Sequence, residues 1–118
     1  MSNCDVLIVE DDQDLREMMV AMLAMEGFDP HAAADGQDAL DQLHSGSSRP
    51  RVIVLDMMMP RMDGWQFCRR RASDPDLKSI PVVVLSAAPR TTLEVGAEAV
   101  LSKPFDYTRL VETLRTYC

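Results

Sequence analysis

The sequence predicts an α/β fold: a doubly wound parallel sheet covered by helices on both faces. Three observations predict it. The runs Val6-Leu7-Ile8-Val9, Val52-Ile53-Val54-Leu55 and Val82-Val83-Val84-Leu85 are apolar at every position. Continuous runs of this kind, rich in β-branched residues, suit strands buried on both sides. Segments with helical periodicity stand between them, and strand and helix alternate along the chain. That alternation implies parallel strands joined by right-handed crossovers.

Taken in order, the first strand is the run Val6–Val9. Leu15, Met18, Met19, Met22 and Leu23 then recur at helical spacing and are expected to fill core space, with Gly27 as the stop. A weaker strand is expected over Phe28–Ala33. Asp35 suits the N-cap of a helix that carries Ala39, Leu40 and Leu43 and ends near Gly46. After the second apolar run, Gly64 precedes a helical segment with Trp65, Phe67, Cys68 and Ala72. Arg69-Arg70-Arg71 closes it and is expected to be a solvated basic face at the negative end of the helix dipole. The third run follows, then a weaker strand at Ala99–Leu101. Asp106 suits the cap of a last helix carrying Leu110, Val111 and Leu114.

The chain has 118 residues, enough for one domain with a real core, and the expected domain covers residues 1–118. The formal net charge is −7, and an acidic surface repels nucleic acid phosphates. Direct nucleic acid binding is not expected. No apolar run reaches the roughly 20 residues needed to span a bilayer, and the Met1–Asp5 start has no basic or apolar leader. The expected setting is the cytoplasm, with no membrane partner. Cys4, Cys68 and Cys118 are odd in number and form no CxxC pair, so reduced thiols are expected. His31 and His44 lack neighbours at ligand spacing and are expected to be surface residues.

In doubly wound sheets the site forms beyond the carboxyl ends of the strands. Glu10, Asp11 and Asp12 follow the first run. Asp56 follows the second and Ser86 the third. Lys103, with Pro104 after it, follows the last short strand. Clustered carboxylates repel one another and raise each other's proton affinity, a problem that a divalent cation removes. Mg²⁺ takes oxygen ligands and is commonly held by one or two carboxylates together with a phosphate. A carboxylate in such a group can act as a nucleophile and form an aspartyl-phosphate. An ammonium and a hydroxyl are suitable partners for phosphate oxygens.

The residues also resemble a known family, the receiver domains of two-component response regulators. The resemblance is carried by Val6–Asp12, by Val52–Gly64 with its Asp56-Met57-Met58-Met59-Pro60 core, by Pro81–Ala87, and by Gly96–Phe105. It covers essentially the whole chain. It implies a flavodoxin-like (βα)5 three-layer sandwich with strand order 2-1-3-4-5. It implies that Asp56 is the phosphoacceptor and that Ser86 and Lys103 bind the phosphoryl group. Mg²⁺ would be held by Asp11, Asp56 and the backbone carbonyl of Met58, with Glu10 acting through water. Asp12 would add local charge without being a ligand. The Lys103–Pro104 bond is expected to be cis. The implied partner is a sensor histidine kinase or a phosphotransfer protein. The chain would not be an enzyme beyond taking up a phosphoryl group and losing it to water, and its output would be a shift in conformational population.

Two features depart from the family pattern. The position three residues before Lys103, usually aromatic, is Val100. The stretch between Ser86 and Lys103 is short around Pro89–Val95, so the fourth crossover helix is expected to be shortened or irregular. Two other functions compete with this reading. An aspartyl-phosphate phosphatase of the haloacid dehalogenase type expects a second acid where Met58 stands. A pseudo-receiver that binds partners without phosphorylation is opposed by the retention of Glu10, Asp11, Asp56, Ser86 and Lys103.

Overall fold

The computed structural model describes residues 4–47, 49–57, 59, 62–87 and 97–118, and among them are five strands and four helices. They run β1 (Cys4–Val9), α1 (Gln13–Met25), β2 (Phe28–Ala33), α2 (Gly36–Ser45), β3 (Val52–Asp56), α3 (Gly64–Ala72), β4 (Val82–Ser86), β5 (Ala99–Ser102) and α4 (Tyr107–Thr116). All strand pairings are parallel, and the order is β2-β1-β3-β4-β5. The fold and strand order are those expected. The shortened crossover helix was expected around Pro89–Val95, which lies outside the described residues.

Alternation along the strands divides the core in two. Leu7, Val9, Ile53, Leu55, Val82 and Val84 point to the face covered by α2 and α3, where Leu40 and Phe67 meet them. Val6, Ile8, Val52, Val54, Val83 and Leu85 point to the opposite face, against Met19 and Leu23 of α1 and Leu110 and Leu114 of α4. Fully burying a side chain of this size stabilises by about 1.5–3 kcal/mol. The central strands are apolar on both faces because each face has its own helical layer. Of the α1 methionines expected in the core, Met19 is buried and Met18 is 49% exposed. Met18 lies one position along the helix from Met19, about 100° round the axis and off the buried stripe.

Local signals set the ends of the elements. Asp12, Asp35, Asp63 and Asp106 are the N-caps of the four helices, each accepting a backbone N–H with its carboxylate. Asp63 and Gln66 form a reciprocal capping box. Gly27 and Gly46 have φ of 92° and 77°, the left-handed region in which glycine meets no steric penalty.

Arg71 departs from the solvated basic face expected for Arg69–Arg71. It is buried, donating from Nε to the carbonyl of Ile80 at 2.8 Å and from Nη2 to the carbonyl of Lys78 at 3.1 Å and Oε1 of Glu98 at 3.0 Å. Glu98 Oε2 accepts the Val82 N–H at 2.6 Å. One guanidinium thus joins the end of α3 to the starts of β4 and β5. The histidines lie at the surface, as expected, with side chains 40% (His31) and 52% (His44) exposed. His44 bonds Asp74 at 2.8 Å across the α2–α3 side, and His31 stands 3.8 Å from Asp29. His44 and Asp74 are 30 residues apart in sequence, a separation that ligand spacing does not register.

The expectation of three reduced thiols is corrected as well. Cys4 and Cys118 form a disulfide with a Cα–Cα distance of 5.6 Å, and Cys68 is free and buried. The pairing joins the beginning of β1 to the residue that follows the last turn of α4. Only the folded arrangement brings positions 114 residues apart together.

Candidate functional site

The carboxyl ends of β1, β3, β4 and β5 meet at one edge of the sheet. Asp56 closes β3 and is 4% exposed. Ser86 closes β4 and is 5% exposed. The parallel register sets Asp56 beside Leu85 and Ser86 beside Ser102. Lys103 is the next residue after β5, and its backbone N–H donates to the carbonyl of Ser86 at 2.8 Å. Its ammonium reaches across β4 and donates to Asp56 Oδ1 at 2.6 Å. The Lys103–Pro104 peptide bond is cis, as expected.

Glu10 follows β1, and the strand order puts β1 next to β3. One oxygen from each of Glu10, Asp11 and Asp56 lies within 4.8 Å of the other two. Glu10 is buried at 2% exposure. Its Oε2 accepts the Asp12 N–H at 3.2 Å, and its Oε1 is buried with no hydrogen-bond partner. Burial pushes the Glu10 carboxyl up from 4.5 to about 7, against the stabilising Asp12 N–H and with the negative charge of Asp56 adding to the rise. Asp12 turns away to cap α1, accepting the Leu15 N–H at 3.1 Å. Three hard oxygen donors and an orphaned buried carboxylate oxygen fit a small divalent cation. Met58, expected to offer a carbonyl, lies outside the described residues.

Two supporting residues were given no role at the site from the sequence, Arg16 and Gly64. Arg16, on the first turns of α1, donates to the carbonyls of Glu10 at 2.9 Å and Asp11 at 3.4 Å, holding the acidic loop from behind. Its position six residues after Glu10 and one helical turn past the cap is the signal that could have revealed it. Gly64 opens α3 so close to the site that a Cβ there would lie 2.8 Å from Met57 Cα and 3.3 Å from the Asp56 carbonyl oxygen. Its N–H donates to the Met57 carbonyl at 3.0 Å. Only glycine allows this approach without a shift of the backbone. Val100 is half-buried in β5, opposite Val84, and packs on the α2–α3 side of the core.

A sheet of order 2-1-3-4-5 with an acidic pair, a central aspartate, a hydroxyl and a lysine at its carboxyl edge defines a class of signalling domain. The profile of the response regulator receiver domain family matches residues 6–115. The chain belongs to that family and is a receiver domain of two-component response regulators. It is 37% identical over 115 residues to the response regulator MprA of Mycolicibacterium vanbaalenii, covering 93% of this chain and 48% of that protein. The chain thus spans about half the length of the curated relatives it matches. Among solved structures it is similar to the chemotaxis response regulator CheY4 of Vibrio cholerae, with a TM-score of 0.86, 31% identity, and coverage of 99% of this chain and 100% of that one. The receiver domain of the Francisella response regulator 1452 gives 0.86 and 28% identity, covering 98% and 96%.

Proposed function

We propose that Asp56 accepts a phosphoryl group from a phosphohistidine on a sensor histidine kinase or a phosphotransfer protein. The observation that carries this reading is the buried Asp56 carboxylate, bonded to Lys103 at 2.6 Å with Glu10 and Asp11 beside it. A carboxylate oxygen of Asp56 forms the new P–O bond. The P–N bond to the donor imidazole breaks, and its electron pair stays on the ring nitrogen, which gains a proton. Lys103 balances charge on the transferred group, and the Ser86 hydroxyl donates to one of its oxygens. Water later attacks phosphorus, and the free carboxylate returns.

Glu10, Asp11 and Asp56 would hold Mg²⁺, with the Met58 carbonyl as a further ligand. The bound ion would neutralise charge on the phosphoryl oxygens during transfer. Residues 1–118 act as one receiver unit in the cytoplasm. The unit signals through protein contacts, and its charge of −7 opposes direct nucleic acid binding. Among the described residues no helix is long and apolar enough to cross a membrane.

The test is intact mass after incubation with acetyl phosphate and Mg²⁺. One phosphoryl adduct is expected, lost without Mg²⁺ and in Asp56→Asn. No adduct, together with no Mg²⁺-dependent binding of beryllofluoride, would overturn the reading and leave a partner-binding module that works without phosphorylation.

A further inference from the structure

We propose that Cys4 and Cys118 are a reversible redox tether, which fastens the end of α4 to β1 when oxidised and frees that end when reduced. The Cα atoms stand 5.6 Å apart, inside the span that a disulfide bridges without backbone movement. The tether lies at the opposite end of the sheet from Asp56, because Cys4 begins β1 whereas Asp56 ends β3. It still bears on the site's own scaffold. Helix α4 is capped by Asp106, three residues after Lys103, and runs to Thr116, two residues before Cys118.

Accessibility divides the three cysteines. Cys118 is exposed and Cys4 half-buried, so this pair stands nearer solvent than Cys68. Cys68 is buried on the α2–α3 side of the sheet, whereas Cys4 packs on the α1–α4 side. Burial also pushes the Cys68 thiol up to about 11, which leaves almost no thiolate to compete. The native fold therefore allows one intramolecular pairing.

Leu114 is buried in the core and Tyr117 packs against it, but the polar contacts that hold the end of α4 are weak. Arg115 donates to the carbonyl of Glu26 at 3.1 Å and to its Oε2 at 3.2 Å, and its guanidinium sits 5.2 Å from the Phe28 ring centroid. The Arg115 and Glu26 side chains are 53% and 43% exposed, and ion pairs as exposed as this one contribute little. Opening the disulfide therefore leaves the residues beyond the buried Leu114 freer to fray.

The exchange partner is a low-molecular-weight disulfide of the glutathione class. One protein thiolate attacks it, forming a mixed disulfide and releasing one small thiolate. The second protein thiolate then displaces the other. Two electrons pass from the protein thiols to the small disulfide, which leaves as two thiols. An excess of the small thiol reverses both steps. No phosphodonor takes part, so the tether and the phosphorylation reading stand or fall separately.

The test equilibrates the folded chain in glutathione mixtures of graded potential and traps free thiols with N-ethylmaleimide for intact mass. Hydrogen exchange and melting are followed in both states. The oxidised form should take no label. The reduced form should take label at Cys4 and Cys118 and, until denaturant is added, none at Cys68. Amides of the last α4 turn should exchange on the order of tenfold faster when reduced. The melting temperature should fall by roughly 10 °C on reduction, because the opened loop spans nearly the whole chain. Cys118→Ser and, independently, Cys4→Ser should hold the fast-exchanging state at every potential. Thiols that stay open under excess glutathione disulfide would overturn the proposal. So would a bond that opens only in denaturant, or equal exchange in the two states.

Discussion

Lys103 and Asp56 are 47 residues apart in sequence, yet the ammonium donates to the carboxylate across 2.6 Å. Lys103 follows β5 at the sheet edge and Asp56 ends the central strand β3, with β4 between them. The lysine supplies the one positive charge that faces the carboxylates of Glu10, Asp11 and Asp56 among the described contacts at this edge.

Removing that charge leaves Asp56 buried among carboxylates. Lys103→Ala should lower stability by about 1–3 kcal/mol in chelator, a range reduced from the fully buried case because the lysine side chain is 30% exposed. Added Mg²⁺ should recover part of the loss. Urea denaturation with and without Mg²⁺ measures both, and equal losses in the two conditions would show that the lysine and the cation do not share one cluster.

Glu10 makes the metal-free protein sensitive to pH. Its carboxyl is raised from 4.5 to about 7 by burial and by the charge of Asp56, so the folded state binds more protons than the unfolded chain between those values. This contribution is fully present below pH 4.5 and is lost as pH rises through 7. The melting temperature in chelator should therefore fall across that window. Glu10→Gln should flatten the fall. Mg²⁺, which favours the ionised carboxylate, should raise the melting temperature more at pH 7.5 than at pH 5.

Gly64→Ala places a methyl carbon 2.8 Å from Met57 Cα, a backbone atom that cannot swing aside. Overpacking of this kind costs about 1–3 kcal/mol. Because the same methyl lies 3.3 Å from the Asp56 carbonyl oxygen, uptake of phosphoryl from acetyl phosphate should also slow. Mass spectrometry alongside a urea titration separates the two effects. Unchanged stability and uptake would mean that the close approach constrains neither.

Arg71→Ala would strip the carbonyls of Ile80 and Lys78 and the carboxylate of Glu98 of their common donor. Breaking one side of a buried pair costs about 3–5 kcal/mol, reduced here to about 2–3 kcal/mol because the Glu98 side chain is 35% exposed. Arg70→Ala, one position away and exposed, should stay within about 0.5 kcal/mol. Chemical denaturation of the two variants compares them directly. Similar losses would return Arg71 to the solvated basic face that its sequence suggests.

Much of this was legible before folding. The three all-apolar runs became β1, β3 and β4, and Asp35 and Asp106 capped helices as expected. Strand pattern and capping depend on neighbours within a few residues, which the chain displays directly. Glu10, Asp11, Asp56, Ser86 and Lys103 could be gathered because each follows a strand, and parallel strands present their ends at one edge.

What the chain could not display are relationships set by distance in space. Arg71 reads as the third member of a basic run, and only the turn through Lys78 and Ile80 makes it a buried clamp. Arg16 reads as a surface residue of α1 until the acidic loop folds over it. Cys4 and Cys118 read as unrelated thiols because sequence separation carries no record of proximity, and the sheet and α4 bring them together. Periodicity and strand-end chemistry therefore determined the fold class and the candidate residues, and the motif resemblance pointed to the family. Tertiary packing alone decided which charges are buried, which groups share a partner, and which cysteines meet, because burial and contact belong to the assembled layers and to no local stretch of chain.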